Sequence, residues 1–195
     1  MSSSRRTADI DRDLSYANLA SDVVGLLDHL GIERSHVMGH SMGGGTTLEL
    51  AVNHGDRLLA AVPISASVRP DGAHPDLADP STYATSTIMP TEQDFADMAE
   101  AYARIAPHPE QFEALPMRSM TSVEGWTGWT AEQLAGITAP TLIVQGDHDF
   151  TLNSHAALMQ QLIPGSQLLV LPGTTHMRAT RRADLLLPAL AAFLD

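Results

Sequence analysis

Four short apolar runs alternate with segments of helical spacing, and that alternation constrains the fold more than any other feature of the chain. The runs are Ser35 to Gly39, Leu58 to Ile64, Thr141 to Gln145 and Gln167 to Leu171. Runs this short and this apolar suit strands buried within a sheet, and helices between them supply the crossovers that parallel strands need. Helical spacing appears in Leu19, Val23, Leu26, Leu27 and Leu30, behind Ser15 as N-cap and before Gly31 as stop. It appears again after Ser41 through Leu48, Leu50 and Val52, from Asn153 to Leu162, and from Arg181 to Leu194. The expected class is α/β, with about four mainly parallel strands and flanking helices.

The pattern breaks in the middle. From about Ser67 to Gly136 the chain is rich in Pro, Asp, Thr and Met, with helical pieces but no strand run. Thr91-Glu-Gln-Asp94 is a capping signal for one of those helices. This stretch reads as a helical cap or lid above the strand ends. Three segments follow: 1–66 and 137–195 as the two parts of the core, and 67–136 as the insertion. Met89, Met98, Met117, Met120, Trp126 and Trp129 are candidates to line an apolar pocket or to pack the cap onto the core.

Gly39-His40-Ser41-Met42-Gly43 lies at the junction of the first strand and the helix after it. A G-x-S-x-G sequence in that context suits a sharp strand-to-helix turn that exposes a serine hydroxyl. Such a turn is crowded, so the residues two places either side of the serine must be very small. Gly44 and Gly45 let the next helix approach the sheet, and that helix N-terminus favours negative charge beside Ser41.

A serine hydroxyl needs a base, and the base needs a carboxylate to fix its tautomer. His176 follows the last strand in Pro172-Gly-Thr-Thr-His176, where chain order puts the base. The other histidines have simpler expectations. His29 and His54 lie on predicted helices, as surface or packing residues. His36 belongs to core packing within a strand, and His40 fills the variable place of the turn. His74, His108 and His155 are expected to be exposed, and His148 lies beside the acids. The acid lies in Gln145-Gly-Asp-His-Asp149, where spacing leaves Asp147 and Asp149 both open. No H-E-x-x-H or comparable spacing is present, so neither metal nor cofactor is expected.

The formal net charge of −12, with no lysine, disfavours nucleic acid as a partner. The 195 residues include no cysteine, no run long enough to span a bilayer, and no secretory apolar stretch near Met1. A cytoplasmic location away from the membrane is the expectation.

Gly39-His-Ser-Met-Gly-Gly44, Ala139-Pro-Thr-Leu-Ile-Val-Gln-Gly-Asp-His-Asp149 and Leu171-Pro-Gly-Thr-Thr-His176 together resemble three landmarks of alpha/beta hydrolases. The likeness runs from about Thr7 to Asp195 and is to the capped group of carboxylesterases, enol-lactonases and meta-cleavage-product hydrolases. It implies Ser41 as nucleophile, His176 as base, Asp149 rather than Asp147 as acid, and the Met42 N–H as one oxyanion donor. It also implies four strands ahead of the helix at Ser15–Leu30, for which the residues before Ser15 are too few. Arg6 to Asp11 resembles the segment after the fourth of them. The chain is therefore expected to be a partial alpha/beta-hydrolase fold without a second oxyanion donor. Ser35–Gly39 would be an open sheet edge through which copies associate. The leading function is a serine hydrolase of carboxylic esters or lactones. The alternatives are a catalytically weak or inactive module of the same fold, and a C–C bond hydrolase.

Overall fold

The computed structural model describes residues 12–114, 118–119 and 125–195. They fall into two compact units. Residues 12–15 belong with those from Pro90 to Gly125, and Tyr16–Met89 belongs with Trp126–Asp195. The 67–136 stretch is thus shared between units. The segment from Arg6 to Asp11, Met117 and Met120 lie outside the described residues.

In the larger unit α1 (Tyr16–Leu30) leads into β1 (Ser35–His40), α2 (Met42–Asn53) and β2 (Leu58–Ile64). In the smaller unit α3 (Glu92–Ile105) starts at Thr91, whose side chain accepts from the Asp94 N–H while Asp94 accepts from Thr91, the expected capping box. Tyr102 and Phe112 pack with ring centroids 5.6 Å apart there. The larger unit resumes with α4 (Ala131–Ala135), β3 (Leu142–His148), α5 (Asn153–Leu162), β4 (Gln167–Thr175) and α6 (Ala183–Leu194). All three strand pairings are parallel, in the order β1-β2-β3-β4.

Both faces of the sheet are covered at β2 and β3, which explains their continuous apolar runs. Leu58, Ala61 and Ile143 point into a cluster with Ala20 of α1, Leu48 of α2 and Met159 of α5. Val62, Ile64, Leu142 and Val144 point the other way, against Leu186 and Leu190 of α6. Gly31, at φ 66, ends α1: its N–H donates to Asp28 O and the Ile32 N–H to Leu27 O, the paired bonds of a Schellman stop.

Trp126 and Trp129, for which pocket lining and packing were both open, pack with Tyr16 at centroid distances of 5.2 and 5.6 Å. Trp129 is buried, and its Nε1–H donates to Glu49 Oε2 at 2.9 Å. His36 is exposed rather than part of the core. It shares a face of β1 with Met38, which is 55% exposed, because the cluster beneath α6 stops short of this strand.

The strand-to-helix turn depends on close backbone approach at one glycine. A Cβ at Gly39 would lie 2.1 Å from Gly43 O, whereas one at Gly43 would meet nothing within 4 Å. The two glycines are therefore not equivalent, as the motif alone suggests. A Cβ at Gly44 would strike Ile64 O at 2.7 Å, so this residue seats α2 on β2. Gly45 instead makes room for the Tyr16 ring of α1, not for the sheet.

Gly39→Ala is expected to destabilise the fold by about 3 kcal/mol, the upper end of overpacking costs, read by chemical denaturation. Gly43→Ala should be neutral or stabilising by up to ~1 kcal/mol, since alanine is the better helix former. Equal effects of the two would contradict the steric reading. Among the described residues β1 pairs only with β2 and leaves its other edge open. Such an edge, beside exposed Met38, is expected to drive self-association, with Met38→Lys moving sedimentation toward the monomer. Concentration-independent monomers of the unsubstituted chain would contradict this.

Candidate active site

Because the four strands are parallel, their carboxyl ends lie along one rim of the sheet, where α/β proteins place their sites. Ser41 directly follows β1, Ser65 follows β2, Asp149 follows β3 and His176 follows β4. Ser41 occupies φ 56, ψ −117 at the N-cap of α2, and its side chain makes no cap bond. Its hydroxyl is thus turned away from the helix it begins. The Ser41 N–H donates to Ile64 O at 2.9 Å, pinning the turn to the next strand.

The structure brings three of the predicted residues into one run of hydrogen bonds. His176 Nδ1 lies 2.6 Å from Asp149 Oδ1, and His176 Nε2 lies 3.0 Å from Ser41 Oγ. A carboxylate can only accept, so Nδ1 carries the proton. In the neutral ring Nε2 is then the acceptor for the Ser41 hydroxyl. The side chains of Asp149 and His176 are 0% and 7% exposed. Burial by itself would raise the Asp149 pKa. The bond and charge of His176, the Ser65 hydroxyl and the Gly146 N–H outweigh it and hold the group below its ordinary value. The Phe150 N–H donates to Oδ1 at 2.7 Å, and the Phe150 ring stacks on the His176 ring at 4.0 Å, 11° from parallel.

The two aspartates that spacing left open are separated by their partners. Asp147 is not an idle loop residue. It accepts the Gly173 N–H at 2.9 Å and the Thr174 N–H at 2.8 Å, fastening the backbone that leads to His176. Slight burial opposes ionisation, but His148 and those two N–H groups prevail and lower its pKa to about 2. Beyond the apolar run, β4 thus continues through Pro172 to Thr175, where a loop was expected, and Arg182 also grips this end of the strand through Pro172 O and Thr174 Oγ1, at 2.7 and 2.8 Å. Gly146 lets this strand end close in, since a Cβ there would lie 2.2 Å from Thr174 O.

Other histidines take different places. The His40 Nε2–H donates to the main-chain oxygen of His176 at 2.9 Å, joining the turn to the segment that carries His176. Burial, then the neighbouring His176, lowers the His40 pKa. His155, expected at the surface, is buried at 5% exposure; its Nε2 accepts the Val68 N–H at 3.2 Å and packs over Gly72. It faces α5's inner side, which helical spacing without partners did not reveal. Ser65 was missed altogether, although it stands directly after a predicted strand; its hydroxyl donates to Asp149 Oδ2. Met42 is the first residue of α2, so its N–H has no acceptor within the helix.

A cavity of about 360 Å³ opens beside the β3 loop, lined by His74, Ile88, His148, Asp149 and Asn153 among others. Neither Ser41 nor His176 lines it, so it adjoins Asp149 rather than Ser41. Among the described residues no three His, Asp or Glu side chains converge as a metal site. No helix among them is long and apolar enough to cross a membrane.

Known proteins are similar to this chain in sequence and in fold. A putative carbamate hydrolase, RutD, of Caulobacter sp. (strain K31) is 49% identical over 57 residues, which is 29% of this chain and 21% of that protein. The matched stretch is thus about a fifth of the carbamate hydrolase's length. 3-oxoadipate enol-lactonase 1 of Acinetobacter baylyi is 25% identical over 202 residues, covering 96% of this chain and 74% of that protein. The crystal structure of a hydrolase from Pseudomonas aeruginosa PA01 superposes with a TM-score of 0.64 at 28% identity, over 92% of this chain and 72% of that one. The family model described as the alpha/beta hydrolase family matches residues 4–189. With that match over nearly its whole length, a parallel sheet covered on both faces and a serine at a strand-to-helix turn, the chain belongs to the alpha/beta hydrolase family.

Proposed function

We propose that this chain is a serine hydrolase that cleaves carboxylic esters or lactones through an acyl-enzyme on Ser41. The observation that carries the reading is the unbroken run of hydrogen bonds from Ser41 Oγ through His176 to Asp149. Ser41 Oγ attacks the carbonyl carbon while its proton passes to His176 Nε2. The carbon–oxygen bond to the alkoxide then breaks, and Nε2 gives the proton to the departing oxygen. A water molecule attacks the acyl carbon, surrenders a proton to Nε2, and Ser41 leaves with that proton restored. Asp149 stays ionised throughout, holding Nδ1–H and stabilising the imidazolium. The Met42 N–H and the start of α2 face the negative charge that develops on the carbonyl oxygen. These steps call on no cofactor.

The similarity to an enol-lactonase over nearly the whole chain favours an ester or lactone carbonyl. The short, stronger similarity to carbamate hydrolases favours a second reading, in which the same attack opens a carbamate. Parallel assays with an ester, a lactone and a carbamate decide between them.

Steady-state hydrolysis of a p-nitrophenyl ester tests the proposal. Ser41→Ala and His176→Ala should each remove nearly all turnover while leaving the fold intact, and the double variant should be little worse than either, because the groups act as a unit. Asp149→Asn should lower kcat by a factor on the order of 10⁴, as loss of the carboxylate does in another enzyme of this chemistry. Asp147→Asn should cost far less, since it leaves the imidazole's own partner in place. Undiminished turnover in Ser41→Ala, or a larger loss from Asp147→Asn than from Asp149→Asn, would contradict the assignment.

A further inference from the structure

We propose that Ser65 is a positioning residue for this site, one that holds the second oxygen of Asp149 and fixes it relative to the turn bearing Ser41. The inference rests on the reading of Ser41, His176 and Asp149 given above.

Place comes first. Three of the four strand ends deliver the nucleophile, acid and base, and Ser65 is the residue at the fourth. The register puts β2 between β1 and β3: His40 pairs with Ile64, and Ile64 pairs with Val144. The peptide joining Ile64 to Ser65 is bonded on both sides. Its carbonyl accepts the Ser41 N–H at 2.9 Å and its N–H donates to Val144 O at 2.8 Å. One rigid planar group therefore spans from the nucleophile's own backbone to the strand that ends in the acid.

Chemistry comes second. Asp149 Oδ1 serves His176 Nδ1 and the Phe150 N–H. Oδ2 has the Ser65 hydroxyl and, at 3.2 Å, the Gly146 N–H. Without the hydroxyl, Oδ2 keeps one long bond, and the carboxylate gains freedom to rotate about its last torsion. That rotation carries Oδ1 off the Nδ1–H direction and turns the imidazole away from Ser41. The hydroxyl is 3% exposed with its residue, so water does not readily replace it.

Strain is the third observation, independent of the other two. Ser65 sits at φ 53, and besides Ser41 it is the only described residue other than glycine with positive φ. That region is costly for any residue with a Cβ and free for glycine. Glycine would relieve the backbone but bring no hydroxyl. Retaining a serine where the backbone favours glycine is what a required donor explains, and strained residues of this kind cluster at sites of chemistry.

The test compares Ser65→Gly, Ser65→Ala and Ser41→Ala with the unsubstituted protein on a p-nitrophenyl ester, alongside thermal unfolding. Ser65→Gly should keep or raise Tm yet lose roughly tenfold in kcat, the lower end of what a hydrogen bond to a charged group carries, with KM changed less than about twofold. Ser65→Ala, which keeps the strain, should lose kcat to the same extent. In an Asp149→Asn background the Ser65→Gly loss should shrink to nothing, because Ser65 acts through that carboxylate. Wild-type kcat in both Ser65 variants, beside an inactive Ser41→Ala, would overturn this proposal and leave the hydrolase reading standing. So would a Ser65→Gly loss that persists undiminished without the Asp149 carboxylate. Turnover undiminished in Ser41→Ala would overturn both.

Discussion

The site depends on backbone meeting backbone at Gly39. Only a residue without a Cβ lets the end of β1 come within contact of the Gly43 carbonyl, and that approach lets the chain reverse from strand to helix at a single residue. Ser41 takes the left-handed conformation that the reversal demands. The free energy lost there is recovered from the surroundings: the Ser41 N–H finds the Ile64 carbonyl, and Gly44 seats α2 flat against β2. The hydroxyl makes no bond to the helix it begins and lies instead against His176 at the rim of the sheet.

Parallel strand order does the rest. Residues that follow parallel strands collect at one edge, however far apart they lie in the chain. Ser41 and His176 are 135 positions apart yet hydrogen-bonded at 3.0 Å. Each member is then oriented by a neighbour of its own. Asp147 and Arg182 hold opposite polar groups of the strand end leading to His176, the His40 ring holds that residue's carbonyl, and Ser65 holds the far side of Asp149. The two aspartates part ways where the register shifts, Gly146 pairing with Leu171 but His148 with Thr175. Asp147 turns to the backbone of the neighbouring strand while Asp149 turns inward.

The strands, the four principal helices of the larger unit and the serine turn were legible in the sequence because each rests on a local signal. Apolar runs bounded by polar residues mark β1 to β4, and Thr91 with Asp94 marks the start of α3. Chain order carried Ser41, His176 and the resemblance-based choice of Asp149 to residues that the fold brings together. What spacing did not reveal lies in tertiary contact. His155 looked like an exposed helical residue and is buried against Val68, while His36 looked like core and faces a side of β1 over which no helix lies among the described residues. Gly43 looked equivalent to Gly39, and only the close approach of backbone at Gly39 distinguishes them. Ser65 carries no motif; its backbone conformation and its bond to Asp149 become visible only when β2 is set between β1 and β3.

The central claim is that Ser41 is a nucleophile activated by His176. Intact-protein mass spectrometry after treatment with a p-nitrophenyl phosphonate, followed by peptide mapping, tests it most directly, since the reagent reacts with an activated serine and stays attached. The account predicts one adduct per chain, located on Ser41, absent in Ser41→Ala and formed far more slowly in His176→Ala. An adduct elsewhere, none at all, or labelling of Ser41 at an unchanged rate without His176 would contradict it.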